Sequence, residues 1–327
     1  TQDTRDVAAR PKIGVLVAET LSWWSQYLLS GVIEAAEAFD VDLFCYVGGG
    51  LQEPDQAVDN GLYELVSTDL LDGLIVSGNI AHGVTQATFD AFLRRFADSI
   101  PIVTVVGVSE GLSAVLVDGF GGMYKVISHL IEDHGYRQIA FIRGPVGQID
   151  ADERYRAYVE ALEKHNLPLN PDWVVEGNFS SMSGQSAMQK LWPRIAAVRA
   201  SQTPPLPWAI VAANDDMARG VLNVLYAQGI NVPDEVAVVG FDDSDIVRNL
   251  DVPLTSVRQP IVAMARRALE LLLRQLRGDT TVVREAMPAE PVIRRSCGCL
   301  PPAVREEEMT SLEERGADTP EYIPPCT

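Results

Sequence analysis

Short apolar runs rich in β-branched residues alternate along the chain with longer stretches whose apolar positions recur every three or four residues. The runs at 13–18, 41–46, 73–77, 102–106 and 114–117 read as strands, and a second series follows at 138–142, 173–176, 209–213, 236–240 and 255–258. Between and after them, 27–39, 56–67, 85–97, 123–133, 153–165, 184–199, 217–228 and 262–276 have helical length and amphipathic spacing. Strands apolar on both faces belong to sheets covered on both sides, and strand–helix–strand alternation gives parallel sheets with right-handed crossovers. Ten strands in one open sheet would be unusual. The pattern therefore predicts an α/β chain with two parallel sheets of five or six strands each.

Local signals punctuate these elements. Gly229 follows the 217–228 helix as a C′ glycine, Pro233 blocks its continuation, and Asn214 or Asp215 can cap its start. From Pro301 the periodicity stops and acidic residues and prolines take over, so 300–327 reads as an acidic linker or disordered tail.

Composition narrows the function classes. The 327 residues are 47% hydrophobic and 22% charged, as globular chains are, and the net charge of −19 argues against nonspecific binding to phosphate backbones or anionic lipid. No apolar run approaches the ~20 residues that span a bilayer, and residues 1–12 lack the apolar core of a signal peptide. Cys45, Cys297, Cys299 and Cys326 are too few and too scattered for a disulfide framework, which fits a reducing cytoplasm. The expectation is a cytoplasmic protein without a membrane partner.

Catalysis finds little support. Histidines occur only at 82, 129, 134 and 165, and three of these lie on or beside predicted helices, away from strand ends. No nucleophile elbow, Walker A loop or dinucleotide-binding glycine turn is present. Asp242, Asp243 and Asp245 match no Ca²⁺-loop spacing, and two thiols at Cys297 and Cys299 are too few for a metal site, so no cofactor and no metal are expected. The chain reads as a non-enzyme.

Polar residues at the carboxyl ends of strands carry more information, because open α/β sheets bind ligands there. Asp118, Asn214, Asp215 and Asp242 each follow a strand. Converging acceptors of this kind suit a polyhydroxylated ligand, although each can equally serve as a helix cap. Flat rings suit a sugar face or a base. Trp23 and Trp24 fall in the loop after the first strand, and Phe179 in the 177–184 loop. Arg154 opens a helix after the 144–152 loop.

The wording of these segments is familiar. IVAANDDMA (210–218), VPDEVAVVGFDD (232–243), PLTSVRQP (253–260), HLIEDHGYRQIAFIRGP (129–145) and PVIRRSC (291–297) together resemble the effector-binding core of the lactose/galactose-repressor (LacI/GalR) family. The resemblance runs from about Pro11 to Cys299. It implies the type I periplasmic-binding-protein-like fold, two Rossmann-like lobes with a ligand cleft between them. By that analogy 11–132 plus 259–288 form the N-terminal lobe and 133–258 plus 289–299 the C-terminal lobe. It implies ligand-binding roles for Arg154, for Phe179 as the stacking ring, for Asn214, Asp215 and Asp242, for Asp118 as an N-lobe aspartate, and for Trp23 and Trp24. The tryptophans stand where the family often has Asn-Pro-Phe.

Further expectations follow from the resemblance: a small sugar-like or nucleoside-like effector, a homodimer, and a C-terminal strand containing Cys297 and Cys299. Twelve residues before Ile13 leave no room for the family's helix-turn-helix. DNA would be reached only through a module absent from this chain, unless a downstream signalling output domain takes its place. The reading is a ligand-sensing domain of a transcriptional or signalling regulator; the alternative is an exported solute-binding protein of a sugar transporter.

Overall fold

The computed structural model describes residues 10–51, 59–203 and 206–299. The chain divides into two compact units, 1–117 with 260–287 and 118–259 with 288–327, so it passes from one to the other three times.

The first unit holds a six-stranded sheet, built from β1 (Lys12–Val17), β2 (Asp42–Val47), β3 (Gly73–Ser77), β4 (Ile102–Val105), β5 (Ser113–Asp118) and β11 (Arg284–Pro288), in the order β11-β5-β4-β3-β1-β2. Pairings β1–β2, β1–β3, β3–β4 and β4–β5 are all parallel. Every residue of β3 and β4 is buried, which is why those strands carry almost no polar side chains. Helix α1 (Trp23–Phe39) crosses over from β1 to β2 and packs on α8 (Ile261–Leu276), and Gly31 permits the approach. A Cβ there would stand 2.8 Å from the Val262 Cα and carbonyl oxygen. A second apolar cluster joins Leu16, Leu74 and Val76 to Tyr63 and to the Phe89, Phe92 and Phe96 stripe of α2 (Gln86–Ala97).

The second unit is built on four parallel strands, β6 (Gln138–Arg143), β7 (Val174–Glu176), β8 (Trp208–Ala212) and β9 (Val236–Val239), in the order β7-β6-β8-β9. Helices α3 (Gly119–Glu132) and α4 (Ile149–Lys164) pack together, as do α5 (Ser181–Ala200) and α6 (Asp215–Ala227). The last pair meets backbone to backbone: a Cβ on Gly184 would fall 2.2 Å from the Met217 carbonyl oxygen, and one on Gly220 2.1 Å from that of Ser181. A short helix α7 (Asp245–Arg248) follows β9.

Several expected elements differ. The strand at 255–258 becomes β10 (Ser256–Arg258), which pairs antiparallel with β12 (Glu290–Val292) in a ribbon of its own and touches the four-stranded sheet through bridges at Val239–Thr255 and Asp242–Arg258. The sheets therefore hold six and four strands rather than five or six each. Residues 59–65 of the expected 56–67 helix form a 3₁₀ helix, and 52–58 lie outside the described residues. Cys297 lies in a 3₁₀ turn (Arg295–Cys297) beyond β12, not in a strand. The first crossing between units comes at Asp118 rather than after 132, because α3 packs on α4, β10 and β12. The tail 300–327 and most of the segment before β1 lie outside the described residues, so the expectations about them do too.

Candidate functional site

Parallel pairing puts the carboxyl ends of β6, β7, β8 and β9 at one edge of the second unit. Most of the polar residues singled out from the sequence gather there.

Arg154 comes from α4, which starts at Ile149, so the arginine sits in the second turn rather than opening the helix. Its side chain is 7% exposed. Nη1 donates to the Ala213 carbonyl at the end of β8 (2.7 Å) and stands 3.9 Å from Asp242 Oδ1. The guanidinium carbon lies 3.8 Å from the centroid of the Phe241 ring and 5.8 Å from that of Phe179. Nε, also buried, has no hydrogen-bond partner among the described residues. A buried guanidinium with one N–H uncommitted carries a desolvation cost that an acceptor would relieve.

Asp242 has φ 123°, a backbone region that side chains rarely adopt, and strain of that kind collects at functional sites. Its amide donates to the Val257 carbonyl (2.8 Å), and Oδ1 accepts from Gln259 Nε2 (2.6 Å). Burial pushes the carboxyl up to about 7, against the pull of Arg154 and of the Gln259 hydrogen bond. The group stands poised between acid and carboxylate near neutrality.

Asp215 is committed within the unit. Oδ1 accepts from Ser256 Oγ (2.6 Å) and Oδ2 from the Ser244 amide (2.8 Å), while the Asp215 amide donates to the Phe241 carbonyl (2.8 Å). Burial raises its carboxyl well above the usual range, and the charge of Asp242 adds to that rise. Its bonds fix the 240–244 loop and bring β10 against it. Gly240 is required by the same contact, since a Cβ there would lie 2.2 Å from Asp215 Oδ1.

Asn214 caps α6, accepting from the Met217 amide (3.0 Å), and donates through Nδ2 to the Phe179 carbonyl (3.0 Å). That second bond helps hold Phe179, whose φ is 66°, with its ring over Gly144. Asp118 caps α3 through the Gly121 amide (2.7 Å) and leads into Gly119, where a Cβ would stand 3.8 Å from Arg154 Nε. The division between units assigns Asp118 to the second, not to an N-terminal lobe.

Asp243 is the anchor of the edge. Its fully buried carboxylate accepts from Arg258 Nε (2.6 Å), Arg294 Nη2 (2.5 Å) and Arg248 Nη2 (3.2 Å).

Geometry and wording now meet an independent match. A model of the family described as "periplasmic binding protein-like domain" matches residues 127–297, more than half of the chain. The chain belongs to the periplasmic-binding-protein-like family. Among its relatives, the HTH-type transcriptional repressor PurR of Haemophilus influenzae (strain PittEE) is 30% identical over 267 residues, 78% of this chain and 75% of that protein. A solved structure of the transcriptional regulator CelR–cellobiose complex is 28% identical with a TM-score of 0.72, covering 89% of this chain and 86% of that one. The transcription regulator CcpA of Lactococcus lactis shares the fold at 23% identity, with a TM-score of 0.73 over 88% of this chain and 99% of that one.

In this periplasmic-binding-protein-like chain the two tryptophans belong to the first unit and open α1 instead of lying in a loop. Ser22 caps that helix, accepting from the Ser25 amide (3.2 Å). Trp24 is buried, whereas Trp23 is half-buried and edge-on to Tyr27 at 6.4 Å. Glu19 ties the preceding loop: Oε2 accepts from the Leu21 and Ser22 amides (2.5 and 2.7 Å), and Oε1 from the hydroxyls of Ser22 and Ser25. Burial opposes its ionisation, but these bonds still hold the carboxyl below its usual range.

The sequence reading missed Gln259, Ser256, Phe241 and Glu153. Gln259 sits in PLTSVRQP, and a polar residue just past a strand was the available signal. Glu153 neighbours Arg154 just past a first turn that carries Asp150 and Asp152, and burial, followed by the charge of Asp150, raises its carboxyl.

Proposed function

We propose that this chain is the ligand-sensing domain of a LacI-type transcriptional or signalling regulator, binding a small sugar-like or nucleoside-like effector at the strand ends of the second unit. The observation that carries the reading is Arg154: a buried guanidinium stacked on Phe241, 3.9 Å from a carboxyl poised near neutrality, with Nε uncommitted. Arg154 donates to a ligand oxygen, Asp242 accepts from a hydroxyl, and Phe179 packs on the ring face. Asn214 and Asp215 hold the loops that present these groups, and Asp118 lies beside Arg154. In the first unit, Trp23 and Trp24 are kept as ligand contacts on the sequence argument alone.

A relative named as a transcriptional repressor supports a regulator and not an enzyme, and the solved complex of the transcriptional regulator CelR with cellobiose supports a sugar-like ligand. In this reading the protein works as a cytoplasmic homodimer, and its output passes to DNA through a helix-turn-helix or to a signalling domain. Among the described residues no helix is long and apolar enough to cross a membrane.

The test is a thermal-shift screen of sugars, sugar phosphates, nucleosides and nucleobases against the whole chain. At least one compound should raise the melting temperature, and Arg154→Ala and Asp242→Ala should each abolish that rise while leaving the ligand-free melting point within a few degrees. Normal stabilisation of both variants would overturn the site.

A further inference from the structure

A second cluster in the second unit takes no part in the proposed ligand site. His129 lies in the last turn of α3, and His134 follows the helix C-cap Asp133. From the other end of the unit, the 3₁₀ turn after β12 delivers Cys297, and Gly298 at φ 110° lets the chain turn to deliver Cys299. The four donor atoms all lie within 4.8 Å of one another, and both cysteines are buried.

Their spacing is that of ligands around a small tetrahedral ion. Bonds of about 2.3 Å to sulfur and about 2.0 Å to nitrogen place neighbouring ligand atoms roughly 3.3–3.8 Å apart at the tetrahedral angle. Cys297 Sγ stands 3.5 Å from His129 Nε2, and Cys299 Sγ stands 3.7 Å from His129 Nε2 and 3.3 Å from His134 Nε2. The two imidazole planes are nearly perpendicular, at 86°. His129 directs Nε2 at the sulfurs while Nδ1 is paired with Asp133 Oδ2 (2.6 Å), the carboxylate–histidine arrangement that orients metal-binding imidazoles. The spacing His129-x₄-His134 is ordinary for such sites, and Cys297-x-Cys299 is shorter than usual. Gly298 is tightly fitted in the shorter link, since a Cβ there would lie 3.2 Å from His134 Cε1 and Nδ1. Cys299, and after it both imidazoles, hold the Cys297 thiol well below its usual range despite burial.

We propose that His129, His134, Cys297 and Cys299 bind one divalent metal ion of the zinc class. Two thiolates and two imidazoles complete a four-coordinate shell, which makes the site structural rather than catalytic. The ion staples the segment after β12 to the end of α3, securing the point where the chain runs on to residue 300. The inference is independent of the effector site.

Two measurements on the full chain, purified without chelator and with any histidine tag removed, test it. Elemental analysis should find close to one zinc per chain, still present in Cys45→Ser/Cys326→Ser and reduced at least about fivefold in Cys297→Ser/Cys299→Ser and in His134→Ala. Adding Co²⁺ to the reduced, metal-stripped protein should produce thiolate-to-cobalt charge-transfer absorption and the intense visible bands of tetrahedral cobalt. The cobalt spectrum is read on the unsubstituted protein, so it stands even where a variant fails to fold. A zinc-free protein that shows no charge-transfer band with Co²⁺ would overturn the proposal, as would equal zinc content in the Cys297→Ser/Cys299→Ser variant. An intact effector response alongside either negative result would leave the ligand-sensing reading standing.

Discussion

Arg154 and Phe241 are a stacked pair: the guanidinium carbon stands 3.8 Å from the ring centroid, and Phe241 is fully buried. A desolvated cation over an aromatic face contributes roughly 2 kcal/mol, and the ring also sets the plane in which the guanidinium meets Ala213 and Asp242. Phe241→Leu keeps most of the volume and loses the face. Stability should fall by about 1–3 kcal/mol in urea denaturation, and effector affinity should drop by more than that stability change explains, as read by calorimetry. Equal affinity in the variant would remove Phe241 from the site.

Asp243 should matter to folding far more than its neighbour. Three arginines, from α7, β10 and the segment after β12, converge on its carboxylate. Arg258 and Arg248 share Oδ2, are partly exposed and individually contribute little, but Arg294 is mostly buried and holds the other oxygen, Oδ1. Asp243→Ala strands those cations and should cost about 3–5 kcal/mol in urea denaturation. Asp242→Asn, which retains an acceptor for Gln259, should cost much less. Comparable losses would contradict the division of labour between the two aspartates.

The pH dependence has a definite sign. In the folded protein the Asp242 carboxyl is raised from 3.8 to about 7 by burial, so between those values the folded state holds a proton that the unfolded state has released. This contribution to stability is complete below the unfolded value and is lost as pH rises through about 7. Buried Asp215 shifts in the same direction. The stability advantage of the wild-type protein over Asp242→Asn should therefore decline as pH rises from about 5 to about 7, read as the difference between their melting temperatures. A ligand hydroxyl donating to Asp242 favours the carboxylate, so effector affinity should rise over the same interval. Parallel profiles in the wild-type and Asp242→Asn proteins would exclude Asp242 as the titrating group.

The alternation of strands and helices was legible because both faces of each sheet are covered, and burial on two sides leaves a plain apolar run. The departures have local causes. At α4 the acids Asp150 and Asp152 read as loop but favour the helix N-terminus, where the macrodipole is positive. At α1 the cap Ser22 marked the helix start that the adjacent tryptophans obscured. The ribbon of β10 and β12 escaped notice because Glu290–Val292 is short and not apolar. Strand-end logic singled out Asn214, Asp215 and Asp242 without a template, since parallel pairing sends strand ends to one edge, whereas Arg154, inside α4, was tied to that edge only by the resemblance. It could not show that Asp215 is consumed by Ser244 and Ser256, or that Asp243 gathers three arginines. Those partners lie 5 to 51 residues away in the chain, as do, at 165 to 170 residues, the histidines facing Cys299.

The triple passage of the backbone at 117–118, 259–260 and 287–288 bears on synthesis as well as shape. Neither half is a contiguous stretch of gene. The edge of the first sheet waits for Val283, whose carbonyl receives the Ala114 amide, and α1 waits for α8. A ribosome must therefore deliver nearly 290 residues before either core can close. A single protease cut in a surface loop between elements would nick the molecule without freeing a half, and removing 284–299 would strip β11 from the first sheet and β12 from its ribbon with β10.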